Sequence, residues 1–242
     1  MLLVTDYDRT LKINQQISDH TYEMLNKLKE RNTKVCINTG RSYLHLVEDM
    51  QKHKIEVDYY IASSGAEILD SKGQRLYGQE IDHETVDKVL EEIFLNATIS
   101  YGIGMKNSMQ SNFKKDLDVW DMSLITPIDD SVYTISTKLE TEEKALLFKH
   151  HLESVCNVSA HVNRISVDIT AKGISKKTGI EELSAHLSIP KDKITVIGDS
   201  LNDISMIRAY NGHAVENALD EVKEISTSVH LDVGAMIEAV ML

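Results

Sequence analysis

Short apolar runs alternate with amphipathic stretches along the first quarter of the chain. Met1-Leu2-Leu3-Val4 is continuously apolar, the signature of a strand buried on both faces. Residues 17–31 carry Ile17, Tyr22, Leu25 and Leu28 at helical spacing, with Ser18 or Asp19 placed to cap the start. Lys34 to Asn38 repeats the strand pattern, Ser42 to His53 the helical one, and Tyr59 to Ala62 the strand again. Strands alternating with helices predict a parallel sheet with helices on its faces.

The rhythm changes after Ser64. Ala66–Leu69 and Gln74–Leu76 flank the turn sequence Asp70-Ser71-Lys72-Gly73 and predict a hairpin. A helix over Asp82–Leu95, strands over Ala97–Ile103 and Val132–Leu139, a helix over Thr141–Ser154 and strands over Val158–Val162 and Ile165–Ile169 follow. The first rhythm then resumes. Ser175–Leu187 reads as a helix, Lys193–Ile197 as a strand ending at Gly198-Asp199, and Ile204–Ala209 as a short helix. Ala214-Val215 is a further strand candidate, and Val233–Val240 an amphipathic terminal helix. The expected fold class is α/β: a Rossmann-like doubly wound parallel sheet built from 1–78 and 166–242, with an α+β unit inserted over 79–165.

Composition narrows the partners. Of 242 residues, 42% are apolar and 26% charged, ordinary for a globular chain. The formal charge of −12 argues against nucleic acid and anionic membrane as partners, but leaves room for a small anion at a locally positive site. Two cysteines, Cys36 and Cys156, are too few for a disulfide framework. With no basic-then-apolar leader and no long apolar span, the expectation is a cytoplasmic protein, monomeric or weakly homo-oligomeric.

Candidate chemistry lies at the strand ends, where open α/β sheets gather ligands. Asp6 and Asp8 follow the first strand, Thr39-Gly40 the second, and Asp199 to Asp203 the late one. Residues two apart in an extended chain point the same way, so Asp6 and Asp8 would repel unless a cation sits near them. A hard, oxygen-only donor set suits Mg2+, which keeps several waters and also binds phosphate. Asp199 offers a further carboxylate, and Asp203 could order a metal-bound water. A carboxylate can attack phosphorus, and a second acid can protonate the leaving oxygen. Asp6 and Asp8 meet those two needs. Thr39, Gly40 and Lys176 can supply a hydroxyl, an unobstructed amide and an ammonium to the phosphoryl oxygens.

Four segments together resemble the haloacid dehalogenase superfamily, in particular its Cof-type phosphatases with a C2 (α+β) cap. They are Asp6-Tyr7-Asp8-Arg9-Thr10 after an apolar strand, Asn38-Thr39-Gly40-Arg41, Lys172-Gly173-Ile174-Ser175-Lys176, and Gly198-Asp199-Ser200-Leu201-Asn202-Asp203. They occur in the family's order, with its cap expected between the second and third. The resemblance implies Asp6 as nucleophile and Mg2+ ligand, and Asp8 as acid then base, touching the metal through its carbonyl. It implies Asp199 as a ligand and Asp203 as support around the metal. The Tyr7 amide, Thr39, Gly40, Lys176 and Asn202 would hold the phosphate of a small phosphorylated metabolite. Two positions depart from the family: Arg9 stands where glycine is usual, and Ser64-Gly65 where Asn-Gly is common.

Other chemistries fit less well. A calcium loop beginning at Asp6 would need Gly at Leu11 and Glu at Ile17. Gly102-x-Gly104 lacks the third glycine of a dinucleotide loop, and no Gly-x-x-x-x-Gly-Lys-Ser/Thr or His-Glu-x-x-His occurs. A phosphotransferase or phosphomutase using the same aspartyl-phosphate is the nearest alternative to hydrolysis.

Overall fold

The structure, a computed structural model, describes residues 1–96 and 98–242. Its first stretch folds as β1 (Leu2–Thr5), α1 (Asp19–Glu30), β2 (Lys34–Asn38), α2 (Tyr43–Met50) and β3 (Tyr59–Ala62). The hairpin is β4 (Glu67–Asp70) and β5 (Arg75–Gly78). The middle stretch holds α3 (His83–Leu95), β6 (Ser100–Met105), β7 (Met109–Phe113), β8 (Val132–Lys138), α4 (Glu142–Val155), β9 (Val158–Asn163) and β10 (Ser166–Ala171). The last stretch holds α5 (Lys176–Leu187), β11 (Ile194–Gly198), α6 (Ile204–Ala209), β12 (Asn211–Val215), α7 (Asp220–Ile225), β13 (Val229–His230) and α8 (Val233–Met236). A π-helical turn, Ile237–Met241, extends α8. Ala97, where the pattern begins a strand, lies outside the described residues.

The helices start where their caps dictate. Ser18 accepts from the Thr21 amide, Asp82 from Thr85, Thr141 from Lys144, and Ser175 from Thr178. Each cap satisfies an amide that the helix itself leaves bare, worth about 1 kcal/mol. Three elements escape the sequence pattern. In β7 both faces carry polar groups: Gln110 and Asn112 point inward to donate to the Tyr101 hydroxyl, at 3.2 and 2.9 Å. Apolar alternation is therefore missing. α7 buries one side chain, Val222, and β13 has two residues, so neither leaves a period to read.

Two sheets result. The larger runs β13-β12-β11-β1-β2-β3-β4-β5, parallel from β13 to β3 and antiparallel through the hairpin. The chain steps from β1 outward through β2 and β3, then returns to the other side of β1 with β11. The strand order thus reverses at β1, and a crevice opens beyond the carboxyl ends of β1, β2 and β11. Strands buried on both faces read as unbroken apolar runs, which is why Leu2, Leu3, Val4, Ile194, Val196 and Ile197 all lie in the core.

The smaller sheet, β7-β6-β8-β10-β9, is antiparallel throughout. α3 and α4 cover one face, where Val89, Ile93, Phe148 and Leu152 meet Ile103, Ile135, Val162 and Ile169. The opposite face carries Ser100, Gly102, Ser136, Lys138, Ser166 and Asp168 and looks onto the crevice. The boundary read at 165/166 falls between β9 and β10, which pair with each other from Ser166↔Asn163 to Ala171↔Val158. Among the described residues no helix is long and apolar enough to cross a membrane.

Candidate active site

The segment after β1 places two acids by its backbone. The Asp6 amide donates to the Ile197 carbonyl at 3.0 Å, so the β1–β11 pairing carries one residue further and Asp6 arrives beside the end of β11. The chain then curls back: the Leu11 amide donates to Asp6, Lys12 to Tyr7 and Arg9 to Lys12. That curl puts Arg9 at φ +70°, a left-handed conformation that costs any residue except glycine. It also aims the guanidinium inward, with Arg9 Nε donating to Asp199 Oδ2 at 2.9 Å. Asn217 braces the turn by donating to the Arg9 carbonyl at 2.8 Å.

Asp6, Asp199 and Asp203 converge at the strand ends, one carboxylate oxygen of each lying within 4.8 Å of the others. All three are buried. Lys176, at the start of α5 and 1% exposed, donates to Asp6 Oδ1 and Asp203 Oδ1, each at 2.6 Å. The other Asp203 oxygen accepts from the Asp199 and Ser200 amides at 2.9 and 3.0 Å, which fixes the loop after β11. Gly198 is required beside it, because a Cβ there would fall 2.5 Å from the Asp203 carboxyl carbon. Asp6 Oδ2 is buried without a partner.

The electrostatics follow from that packing. Burial pushes the Asp6 carboxyl well above the usual carboxylate range; Lys176 opposes the shift, and Asp203 and Asp199 add to it. Burial also raises Asp199, with Asp203 adding and Arg9 opposing. Burial works against the Lys176 ammonium, but Asp203 and Asp6 outweigh it and hold its pKa above the ordinary lysine value. Negative charge is therefore in excess here, and one oxygen is bare. A hard divalent cation fits these donors: Asp6 and Asp199 would ligate it and Asp203 would stand behind them.

A second charged cluster adjoins the first, and its Lys12–Asp49 half has no sequence signature. Arg41 grips Asp8 with both ends of its fork, Nε to Oδ2 at 2.6 Å and Nη2 to Oδ1 at 2.7 Å. Lys12, buried, sits 3.4 Å from Asp8 and bonds Asp49 of α2. Asp49 also accepts from the buried Tyr7 hydroxyl at 3.2 Å. Burial works against the Asp49 carboxylate, but Lys12 and then Arg41 outweigh it and hold its pKa well below the usual range. The Tyr7 side chain thus serves this network. The Asp8 side chain is committed to Arg41 and stands outside the trio of clustered acids.

Thr39 and Gly40 line the same cavity as Asp6 and Asp8. The turn is tied down by the Thr39 amide donating to Ile61 and the Ser64 amide donating to Thr39. Ser64 and Gly65, at φ +53° and +109°, form the tight turn after β3. Asn202 is buried on the turn before α6, its Oδ1 unpartnered. The cavity, about 690 Å³, is closed on its far side by the five-stranded sheet. That sheet delivers Asp168, which no motif marks. A Cβ on Gly40 would lie 2.1 Å from Asp168 Oδ2, so only glycine lets the two walls meet here.

Comparison with known proteins agrees with this architecture. The family model for haloacid dehalogenase-like hydrolases matches residues 3–233. An HMP-PP phosphatase of Yersinia pseudotuberculosis is 26% identical over 241 residues, covering 92% of this chain and 86% of the relative. A haloacid dehalogenase-like hydrolase of B. subtilis superposes with a TM-score of 0.87 at 20% identity, covering 99% of both chains. The subclass IIB sugar phosphatase BT4131 superposes at 0.79 and 22% identity, covering 99% of this chain and 97% of that one. The two superpositions show the fold, and the match along almost the whole sequence shows the family: the chain belongs to the haloacid dehalogenase-like hydrolases.

Proposed function

We propose that the chain is a Mg2+-dependent phosphatase that hydrolyses a small phosphorylated metabolite through a phosphoryl group carried on Asp6. The observation that carries the reading is Asp6 itself. It is buried at the point where the strand order reverses, with one oxygen held by Lys176 and the other bare. The activities in the names of the relatives, an HMP-PP phosphatase and a sugar phosphatase, support the same class.

In this reading Asp6, Asp199 and the Asp8 carbonyl would hold Mg2+, which would supply positive charge toward the phosphate. Thr39, the Gly40 and Tyr7 amides, Lys176 and Asn202 bind the phosphoryl oxygens and hold phosphorus in line with Asp6. An Asp6 oxygen attacks phosphorus, and the bond to the leaving oxygen breaks. Asp8, protonated and released from Arg41, gives its proton to that oxygen, and the alcohol departs. Asp8 then takes a proton from water; the water oxygen attacks phosphorus, and the Asp6–phosphorus bond breaks to give inorganic phosphate. Lys176 also opposes the protonation that burial favours, which matters because the protonated acid is not nucleophilic.

The five-stranded sheet with α3 and α4 acts as a cap that shields the site from bulk water. We set its extent at 79–171, since β10 belongs to that sheet, and assign 1–78 and 172–242 to the catalytic core. The test is phosphate release from a panel of phosphate esters with Mg2+ and with EDTA. Activity that is unaffected by EDTA, or no release from any ester, contradicts the proposal.

A further inference from the structure

The cationic groups lining the cavity differ in what they already bind. Arg41, on the core side, spends its fork on Asp8. Two others, Lys138 and Arg164, lie on the side of the five-stranded sheet. Among the described residues Lys138 has no carboxylate within ion-pair distance; its ammonium lies 5.8 Å from the Phe113 ring centroid. The nearest carboxylate to Arg164 is Glu142 at 3.6 Å, beyond hydrogen-bond reach, and Arg164 Nε is buried with no partner.

Register puts these two residues at the same end of the sheet. Ser166 of β10 pairs directly with Lys138 of β8, and Arg164 precedes Ser166 by two residues in the β9–β10 turn. Asp168 lies two residues further along β10, about 7 Å from Ser166 at strand rise, and abuts Gly40 on the phosphate side. Ser100, Ser136 and Ser166 offer hydroxyls over that span, and Gly102 leaves it open, since a Cβ there would fall 2.8 Å from Ser136 Oγ. One end of the cavity thus holds the catalytic acids and phosphate donors, the middle offers hydroxyls, and the far end carries Lys138 and Arg164.

We infer that the preferred substrate is a phosphomonoester with a hydroxylated alcohol part that ends in a second anionic group, a carboxylate or a phosphate, seated on Lys138 and Arg164. This rests on the reading of Asp6 as the phosphate end. Asp168 faces the hydroxylated part and accepts from it. In a chain of net charge −12, a doubly anionic ligand is repelled at long range, so local cations decide whether it binds.

The test compares three linear six-carbon esters: sorbitol monophosphate, phosphogluconate and sorbitol bisphosphate. The two with a second anion should show kcat/KM about tenfold to a hundredfold above the monophosphate, mainly through KM. Phosphogluconate against the bisphosphate tells carboxylate from phosphate. In the Lys138→Ala and Arg164→Asn variants, singly and together, that ratio should collapse; asparagine keeps the turn, because it tolerates the φ of +54° at this position. Equal kcat/KM for the three esters, or a preference that survives in the double variant, overturns the inference. p-Nitrophenyl phosphate separates the two failures: its hydrolysis without any such preference sinks this inference alone. If no ester is hydrolysed, calorimetric binding of the same three compounds is read the same way, tighter and variant-sensitive for two anions or equal for all.

Discussion

The core side of the site carries its charges in closed pairs. Lys176 joins Asp6 to Asp203, Arg9 holds Asp199, and Arg41 and Lys12 divide Asp8 and Asp49 between them. The facing wall mixes serines and glycines with Tyr101, Met109 and Phe113; Lys138 has no acid partner among the described residues, and Arg164 meets Glu142 at 3.6 Å, too far for a hydrogen bond. Paired charges are positioned before any ligand arrives, which suits reaction steps that need fixed geometry; Asp8 alone must leave its partner to act. Unpaired charges are completed only by the ligand and so discriminate between ligands. In the proposed reading the contrast puts the chemistry at the ends of the parallel strands and the choice of substrate on the antiparallel sheet.

The most severe way to break the core wall is Lys176→Met. It leaves Asp6 and Asp203 buried without their cation, so phosphate release should drop about 10³-fold or more. Without Mg2+ the fold should lose about 3–5 kcal/mol in urea unfolding. Asp8→Asn comes next, with an expected loss of about 10²–10⁴-fold on alkyl phosphates. The loss should be smaller with p-nitrophenyl phosphate, whose leaving group departs without a proton; equal losses on both esters would argue against Asp8 as the acid.

Arg9→Gly sharpens the comparison from the other direction. It removes the guanidinium from Asp199 and relieves the left-handed backbone at φ +70°. Mg2+ should then bind about tenfold tighter by calorimetry, because the metal no longer competes with an internal cation. The mildest probe is Asp168→Asn. Burial pushes the Asp168 carboxyl up to about 7, with Lys176 opposing and Asp8 adding; Gly40 and Ser64 are its other neighbours. A raised acid binds its proton more tightly in the folded chain than in the unfolded one. Its contribution to stability therefore declines as pH rises from about 4 to about 7, and the penalty is complete above that window. The variant should match the parent near pH 4 and exceed it by on the order of 2 kcal/mol at pH 8, measured by urea unfolding.

The parts that sequence revealed are those with local signatures. β1, β2, β3 and β11 are buried on both faces, so they read as apolar runs, and the polar residues at their ends stand out against them. Lys176 was legible for a related reason, since Ser175 caps the helix that begins at the lysine. The Lys12–Asp49 pair was not. A lysine in a polar loop and an aspartate on a helix look like solvated groups, and nothing local says that they meet across 37 positions of chain. Asp168 was hidden differently: in Ser166-Val167-Asp168-Ile169 it holds an ordinary outward position, and only the approach of the two sheets turns that face into a cavity wall. Arg9 was noticed as a departure from the usual glycine, but its pairing with Asp199 depends on a curl of the backbone that residue types alone do not specify.

Asp6 as the carrier of the phosphoryl group is the claim on which the rest depends. The direct measurement is an acid quench during turnover of a phosphate ester with Mg2+, followed by mass analysis of the peptide containing Asp6. The account predicts a phosphoryl adduct on Asp6 that is absent with EDTA, together with loss of both adduct and phosphate release in Asp6→Asn. Sustained phosphate release by purified Asp6→Asn, with no adduct on the parent chain, would contradict it.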